Sequence, residues 1–383
     1  VDAMGGDNAP QAPVMGAVQA NREYGVDIIL VGRGEAILKV LEENGIQELP
    51  AGVEIAHASE VVEMCDNPAT AFREKKDSSL TVGLNLLKDG SGDAFVSAGS
   101  TGALLAAATL LVKRIRGIRR AALAPVVPTG NGGAVLIDCG ANAECPPEYL
   151  MQFAYMGSYY AEHVLGRPEP RVGLLNIGVE PSKGTELQRT VYPMLQKADQ
   201  EGRIRFVGNI EAREAVEGSV DVIVADGYSG NIFLKTMEGT GLFLAREIKK
   251  IFKQNLLTKL AAVMVSGGLK RFKKLMDSSE VGGTALVGIS KTVIKAHGSS
   301  NAYAFQNAIR QASQSVSSGL IENITANIDL MRLTTGKDRK GILQQMDFEK
   351  LETSIMTSHP VCAYSRDRKS AGAQQKEQAS YDF

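Results

Sequence analysis

Val220-Asp-Val-Ile-Val-Ala225, running directly into Asp226-Gly-Tyr-Ser-Gly-Asn-Ile-Phe-Leu-Lys235, decides the fold. The first six residues read as a strand, and the residues that follow read as a turn opening a helix. Gly227 and Gly230 let the backbone turn tightly. Asp226, Asn231 and Lys235 then stand at the carboxyl end of a strand, where open α/β sheets carry their chemistry. Four other strand-like runs end the same way. They are Phe95-Val-Ser-Ala-Gly-Ser-Thr-Gly102, Leu136-Ile-Asp-Cys-Gly-Ala-Asn142, Leu174-Leu-Asn-Ile-Gly178 and Ile294-Lys-Ala-His-Gly-Ser-Ser-Asn301. Together the five predict one common rim of backbone amides and small polar side chains, suited to holding phosphate.

Outward from these turns, strand-like and helix-like runs alternate. Strands are expected over 27–31, 53–56, 94–97, 134–137, 171–176, 204–207 and 220–225, and helices over 12–24, 34–44, 102–116, 147–165, 186–200 and 231–252. Alternation predicts an α/β fold with a mainly parallel sheet and helices on both faces. The strands are apolar along their length, as doubly covered strands should be. A chain of 383 residues is too long for one small core, so two lobes are expected.

The composition is that of a soluble globular protein, 44% hydrophobic and 22% charged. A net charge of −1 argues against nucleic acid as a partner. Cys65, Cys139, Cys145 and Cys362 contain no CxxC pair and read as reduced thiols of a cytoplasmic protein. No signal peptide is read, and the apolar run 102–112 is shorter than the about 20 residues a membrane span needs. The chain opens at Val1-Asp2-Ala3 inside what reads as a strand, so a few preceding residues are expected.

Charge is unevenly placed. From Arg246 to Lys274 there are nine basic residues and one acid, interleaved with Leu256, Leu257, Leu260, Val263, Met264, Leu269, Phe272 and Leu275. This predicts a protruding basic amphipathic helical hairpin at about 254–277, split at Gly267-Gly268 and fit for a membrane surface or a dimer interface. Lys113-Arg-Ile-Arg-Gly-Ile-Arg-Arg120 carries no acid. It reads as a solvated helix end or as a dock for an acidic protein. Residues 1–336 are expected to form the core, and the polar stretch 337–383 a weakly ordered tail.

Several chemistries lack their signatures. There is no GxGxxG near the start, no GxxxxGK[ST] and no GxSxG elbow. Four histidines, His57, His163, His297 and His359, make a His-rich metal site improbable. Asp2, Asp7, Asp138 and Asp226 read as turn and helix caps before they read as magnesium ligands. No cofactor or metal is called for. The positive signal is anion binding. Gly99, Ser100, Thr101 and Gly102 open an apolar helix, and their amides and hydroxyls suit a phosphate, although taken alone this turn reads first as a plain helix cap by Ser100. Lys183, beside Gly184 and after Asn176, and Lys235 add positive charge. His297, before Gly298 and Ser299, is a candidate donor or proton shuttle.

Val1-Asp-Ala-Met-Gly-Gly-Asp-Asn-Ala-Pro10, Ser97–Ala103, Leu136–Asn142, Leu174–Gly184, Ala225–Asn231 and Ile294–Ser300 together resemble, in order, the bacterial phosphate acyltransferases of phospholipid synthesis. The resemblance covers about residues 1 to 333. The chain departs at Asn8, Ser100 and Val179, where that family usually has His, Asn and Glu. The resemblance implies a fold like the isocitrate and isopropylmalate dehydrogenases and phosphate acetyltransferase. It also implies a homodimer that transfers a long acyl chain from acyl carrier protein to inorganic phosphate. Peripheral membrane association is implied too, with the acyl phosphate passing to a membrane glycerol-3-phosphate acyltransferase.

That reaction needs positioning more than strong acids or bases. Phosphate is already anionic, and a thiolate leaves readily. On this reading Gly99, Ser100, Thr101 and Gly102 hold phosphate, with Asn176, Gly184, Gly227, Gly298 and Ser299 lining the site. Lys183 and Lys235 neutralise charge, Asn231 or His297 donates to the oxyanion, and Asp226 orients Lys235 or Asn231. Short-chain phosphate acetyltransferase, a decarboxylating dehydrogenase on the same fold and a non-enzymatic membrane scaffold for the carrier are the competing readings.

Overall fold

Successive residues of Ala134–Ile137 point to opposite faces of their strand, and all four are inaccessible to solvent. Such a strand must be covered on both sides. The computed structural model, which describes residues 1–276 and 278–331, supplies both covers. One face of this strand and its neighbours meets the helix Pro147–His163. Gly157 makes the approach possible, since a Cβ there would stand 2.6 Å from Val222 and 3.0 Å from Ile137. The other face joins Leu136, Ile223, Leu123, Leu286, Phe95 and Val293 into one apolar cluster beneath the helices Ser79–Asp89 and Thr101–Ala107.

The strands are β1 (Ile28–Gly32), β2 (Val53–His57), β3 (Ala94–Ser97), β4 (Ala122–Ala124), β5 (Val126–Val127), β6 (Ala134–Ile137), β7 (Arg171–Leu175), β8 (Arg205–Ile210), β9 (Val222–Val224), β10 (Gly283–Val287) and β11 (Thr292–Ala296). Three ladders are formed: β1-β2, β3-β11-β10-β4 and β5-β6-β9-β7-β8. Backbone hydrogen bonds join them end to end. Asp2 N donates to Val96 O, and Val31 N to Val1 O, so Val1–Ala3 lies between β3 and β1. Leu136 N donates to Pro125 O, which carries β4 and β5 through as one line between β10 and β6.

Direction along this ladder is decisive. β3 and β11 are parallel, and β10 runs against both β11 and β4. β5 then runs against β6, which is parallel to β9, as β9 is to β7. The carboxyl ends of β3 and β11 therefore lie at one edge of the sheet, and those of β6, β7 and β9 at the other. The single common rim expected from the sequence is replaced by two.

Most elements stand where the sequence pattern places them. Glu186–Gln200 matches to the residue, because Thr185 and Gln188 close a capping box at its start. The helix expected over 102–116 stops earlier. Thr101–Ala107 continues as a π-helical turn to Val112, and Lys113 then takes φ +74° while its carbonyl accepts from Ser290 N. Gly227–Lys253 starts four residues before the expected helix, since Asp226 caps it. The break expected at Gly267-Gly268 falls at Val265, between Leu256–Met264 and Ser266–Met276. Both glycines sit in the first turn of the second helix, whose N–H groups have no intrahelical acceptor to lose. Among the described residues no helix is long and apolar enough to cross a membrane. The sequence-read tail 337–383, with His359 and Cys362, and the side chains of Lys273 and Leu275 lie outside the described residues.

Asp221, ahead of β9, fastens β7 to this scaffold. Its carboxylate accepts from Arg167 at 2.7 Å and from Arg171 at 3.0 Å. Burial would raise its carboxyl, but hydrogen bonds from Arg171 and Arg167 win and hold it below the usual range. Asp221→Ala leaves two half-buried guanidinium groups without their partner. It is expected to cost about 3 kcal/mol in urea unfolding, and a loss under about 0.5 kcal/mol would show that the pair is solvent-screened.

Candidate active site

At the first edge three turns are stitched into one surface. Asp2, 2% exposed, accepts from Ser97 Oγ at 2.6 Å and from Met4 N at 3.1 Å. Ser97 Oγ in turn accepts from Gly99 N at 3.1 Å. Asp7 N donates to Gly298 O, and Asn8 Nδ2 donates to Ser299 O and Ser300 O. Gly5 backs directly onto the Gly99 turn, since a Cβ there would lie 2.8 Å from Gly99 N. Ser100 Oγ accepts from Ala103 N and so acts as the helix cap. Thr101 and Gly102 are exposed beside it. The exposed His297 accepts the Ser299 N–H at Nδ1 and has Ser299 Oγ 2.8 Å away. That leaves Nε2 as the N–H donor facing outward.

Lys295 completes this edge, and the sequence reading passes over it. It is the one charge in the buried strand Thr292–Ala296, and its side chain is nearly sealed from solvent. A lysine inside an otherwise apolar strand is the signal that could have revealed it. Its Nζ donates to Ala98 O at 3.3 Å and to Ala296 O, clamping the two turns together. Burial pulls the amine down to about 8, against the opposing charges of Asp2 and Asp7.

The second edge is built on Asp138, which is fully buried. Its carboxylate accepts from Leu123 N, Cys139 N, Ala141 N, Asn142 N and Asn142 Nδ2. Burial nevertheless raises its carboxyl above the ordinary range. Gly227 N donates to Asn142 O, and Asn231 Nδ2 to Cys139 O at 3.0 Å, so the β6 and β9 turns interlock. Gly230 has no room for a side chain, since a Cβ would stand 2.0 Å from Asp138 O. After β7, Asn176 Nδ2 donates to Lys183 O and closes that loop onto itself. Lys183 is exposed, and a Cβ on Gly178 would meet both its stem and the Glu180 carboxylate. Gly184 packs against the Asn176 side chain at φ +91°.

Several side chains have other occupations than the sequence reading gives them. Asp226 does not orient Lys235 or Asn231, because its carboxylate takes Ser229 N at 2.8 Å and Ser229 Oγ at 2.9 Å. Lys235 pairs with Glu238 at 2.8 Å. Asp2, Asp7, Asp138 and Asp226 serve separate turns, and no group of three or more candidate metal ligands occurs among the described residues. Burial raises the Cys139 thiol far above its usual value and pushes Cys145 up to about 12, so neither is a ready nucleophile.

A helix from each edge packs on the same apolar cluster. Leu105 and Ala106 of the Thr101 helix, and Phe233, Leu234 and Met237 of the Gly227 helix, border the same cluster on one face of the sheet.

A family model described as Fatty acid synthesis protein matches residues 1–323. The phosphate acyltransferase of Desulfitobacterium hafniense is 47% identical over 339 residues, covering 88% of this chain and 99% of its own. That of Clostridium kluyveri is 45% identical over 329 residues, covering 86% and 97%. Among solved structures, a phosphotransacetylase from Streptococcus pyogenes aligns at TM-score 0.53 and 16% identity, over 80% of this chain and 91% of that one. EutD phosphotransacetylase from Staphylococcus aureus aligns at TM-score 0.50 and 17% identity, over 79% and 90%. The two structural likenesses bear on the fold alone.

The buried amine gives a test with a defined sign. Unfolded, Lys295 titrates at 10.5, and folded at about 8. Between those values the unfolded chain binds more protons, so stability rises with pH. Relative to Lys295→Met, the wild type is expected to gain about 3 kcal/mol in urea unfolding as pH goes from 8 to 10.5. A difference that is flat across that window would show that Lys295 is hydrated.

Proposed function

The chain belongs to the phosphate acyltransferase family, and is an acyltransferase working between an acyl donor and phosphate; from that membership we propose that it moves a long fatty acyl group from acyl carrier protein to inorganic phosphate. What supports this reading is that two helices opened by glycine turns, Thr101–Ala107 and Gly227–Lys253, pack on one apolar cluster, with helix-opening amides that suit an anion.

In the proposed reaction a phosphate oxygen attacks the thioester carbonyl and the carrier thiolate departs. Phosphate rests on the amides of Gly99 and Gly102 and on the hydroxyls of Ser100 and Thr101, with Gly298 and Ser299 alongside. The sequence reading also gives Lys183 as counter-charge to this phosphate, but its Asn176–Gly184 loop follows β7 at the other edge, so Lys183→Ala tests whether the two edges serve one anion. His297 Nε2, at the same edge as the phosphate turn, donates to the oxyanion, with Asn231, bonded to Cys139 O at the other edge, as the alternative donor there; donors held in place by their own hydrogen bonds need no reorganisation in the transition state. Lys235, paired with Glu238, contributes less free charge than its sequence position suggests. Asp226 acts as the cap that fixes the Gly227 turn.

Leu256, Leu257, Leu260, Val263 and Met264 are each more than half exposed and flanked by lysines. They form the proposed contact with an anionic membrane surface, where a cytoplasmic homodimer would hand acyl phosphate to a membrane glycerol-3-phosphate acyltransferase. Residues 1–336 are the proposed catalytic core, with 337–383 as an appended tail.

Incubation with long-chain acyl carrier protein and phosphate is expected to give acyl phosphate by mass, with release of carrier thiol. Preference for acetyl-coenzyme A would replace the long-chain reading by the short-chain one. Lys183→Ala and His297→Ala are each expected to lower turnover at least about a hundredfold, and a folded variant with near-normal turnover removes that residue from the site. Sedimentation with anionic vesicles is expected to fall when Leu260 and Val263 become Asp. Unchanged sedimentation would place those side chains at a protein interface.

A further inference from the structure

The loop Lys113–Arg120 carries five cations and no acid, in a chain whose net charge is −1. Lys113, Arg114, Arg116, Arg119 and Arg120 are all exposed. Among the described residues only Arg119 of the five has a carboxylate partner, Glu148 at 3.0 Å. Such a concentration of like charge is self-repelling, and Glu148 is the one carboxylate paired with it among the described residues.

The backbone beneath these charges is nonetheless tightly held. Ile115 and Ile118 are buried and anchor it from below. Gln152, 1% exposed, grips it with both ends of its amide, accepting from Arg119 N at 2.8 Å and donating to Gly117 O at 3.0 Å. Ile115 N donates to Gly288 O, and Ser290 bonds Lys113 O through its amide and Val112 O through its hydroxyl. Arg114 donates to Arg119 O across the loop. Lys113 sits at φ +74°, a conformation costly for a residue with a Cβ. The loop is therefore a fixed platform that projects unpaired cations, not a frayed helix end.

Its place in the fold connects it to the candidate site. Ala121, the next residue, accepts from Asn142 Nδ2 at 2.9 Å, and Asn142 O accepts from Gly227 N at 2.8 Å. Two hydrogen bonds thus separate the platform from the turn that opens the Gly227 helix.

We propose that the Lys113–Arg120 loop is the docking surface for the acidic acyl carrier protein, holding it so that its thioester enters beside the Gly227 turn. This inference rests on the donor reading given above. Rigid exposed cations suit such a partner. Charge complementarity speeds encounter and sets orientation, and a preformed loop loses little entropy on binding.

The test compares wild type, Arg116→Glu/Arg120→Glu and Arg116→Lys/Arg120→Lys in the full chain. Each is assayed with acyl carrier protein and with acyl-coenzyme A as donor, at low and high salt. Charge reversal is expected to raise KM for the carrier at least about tenfold, to leave kcat and the coenzyme A reaction unchanged, and to flatten the salt dependence. The lysine variant is expected to stay near wild type. Equal losses with both donors would make the loop structural, and an unchanged carrier KM would place docking elsewhere. Either overturns the proposal while leaving the donor reading intact, as would loss of anionic vesicle binding with carrier KM unchanged. A wild type that uses acyl-coenzyme A but ignores the carrier overturns the donor reading and the docking proposal together.

Discussion

The Asp138 carboxylate is the constraint on which this molecule turns. It is sealed from solvent, yet it accepts hydrogen bonds from the backbone of Leu123, Cys139, Ala141 and Asn142 and from the Asn142 side chain. A buried carboxylate is tolerable only when its lone pairs are taken. Here the donors come from β4 on one side and the β6 turn on the other. One side chain therefore fixes the line where the two halves of the sheet meet. It also shapes the turn against which Gly230 and Asn231 pack.

From that junction follows the two-edged arrangement. β10 and β6 both run against the β4–β5 line, and β11 and β3 run against β10, so the carboxyl ends of β3 and β11 cannot share an edge with those of β6, β9 and β7. What they share is a face. The Thr101 and Gly227 helices leave from opposite edges and border one apolar cluster. Active sites of open α/β sheets ordinarily lie outside the carboxyl ends of adjacent strands. In this fold the helices, more than the strand ends, bring the two rims into register.

Legibility followed locality. Glu186–Gln200 could be bounded from Thr185 and Gln188, because a capping box is a contact three residues long. The strands at 94–97 and 134–137 could be bounded because their apolar runs end at turn residues. The helix after Gly102 could not, because Ser290, distant in sequence, ends it by binding the carbonyls of Val112 and Lys113. The candidate site divides the same way. The glycine turns and their helices are written locally. The use of Lys295 depends on Ala98, 197 residues away, and was not legible; Asp226–Ser229 and Lys235–Glu238 are contacts three residues long and were open to a local reading, which gave those side chains other partners.

The sequence by itself determined the alternation of strands and helices, the glycine turns that open the helices, and the order of motifs that places the chain among the phosphate acyltransferases. These are carried by periodicity and by conformational preferences within a few residues. Only the tertiary structure decided that the turns fall on two edges, that Lys295 is clamped between two of them, and that four of the five Lys113–Arg120 cations stand without a carboxylate partner among the described residues. Strand direction and side-chain pairing arise from contacts between residues far apart in the chain, and their energies exist only once the sheet has closed.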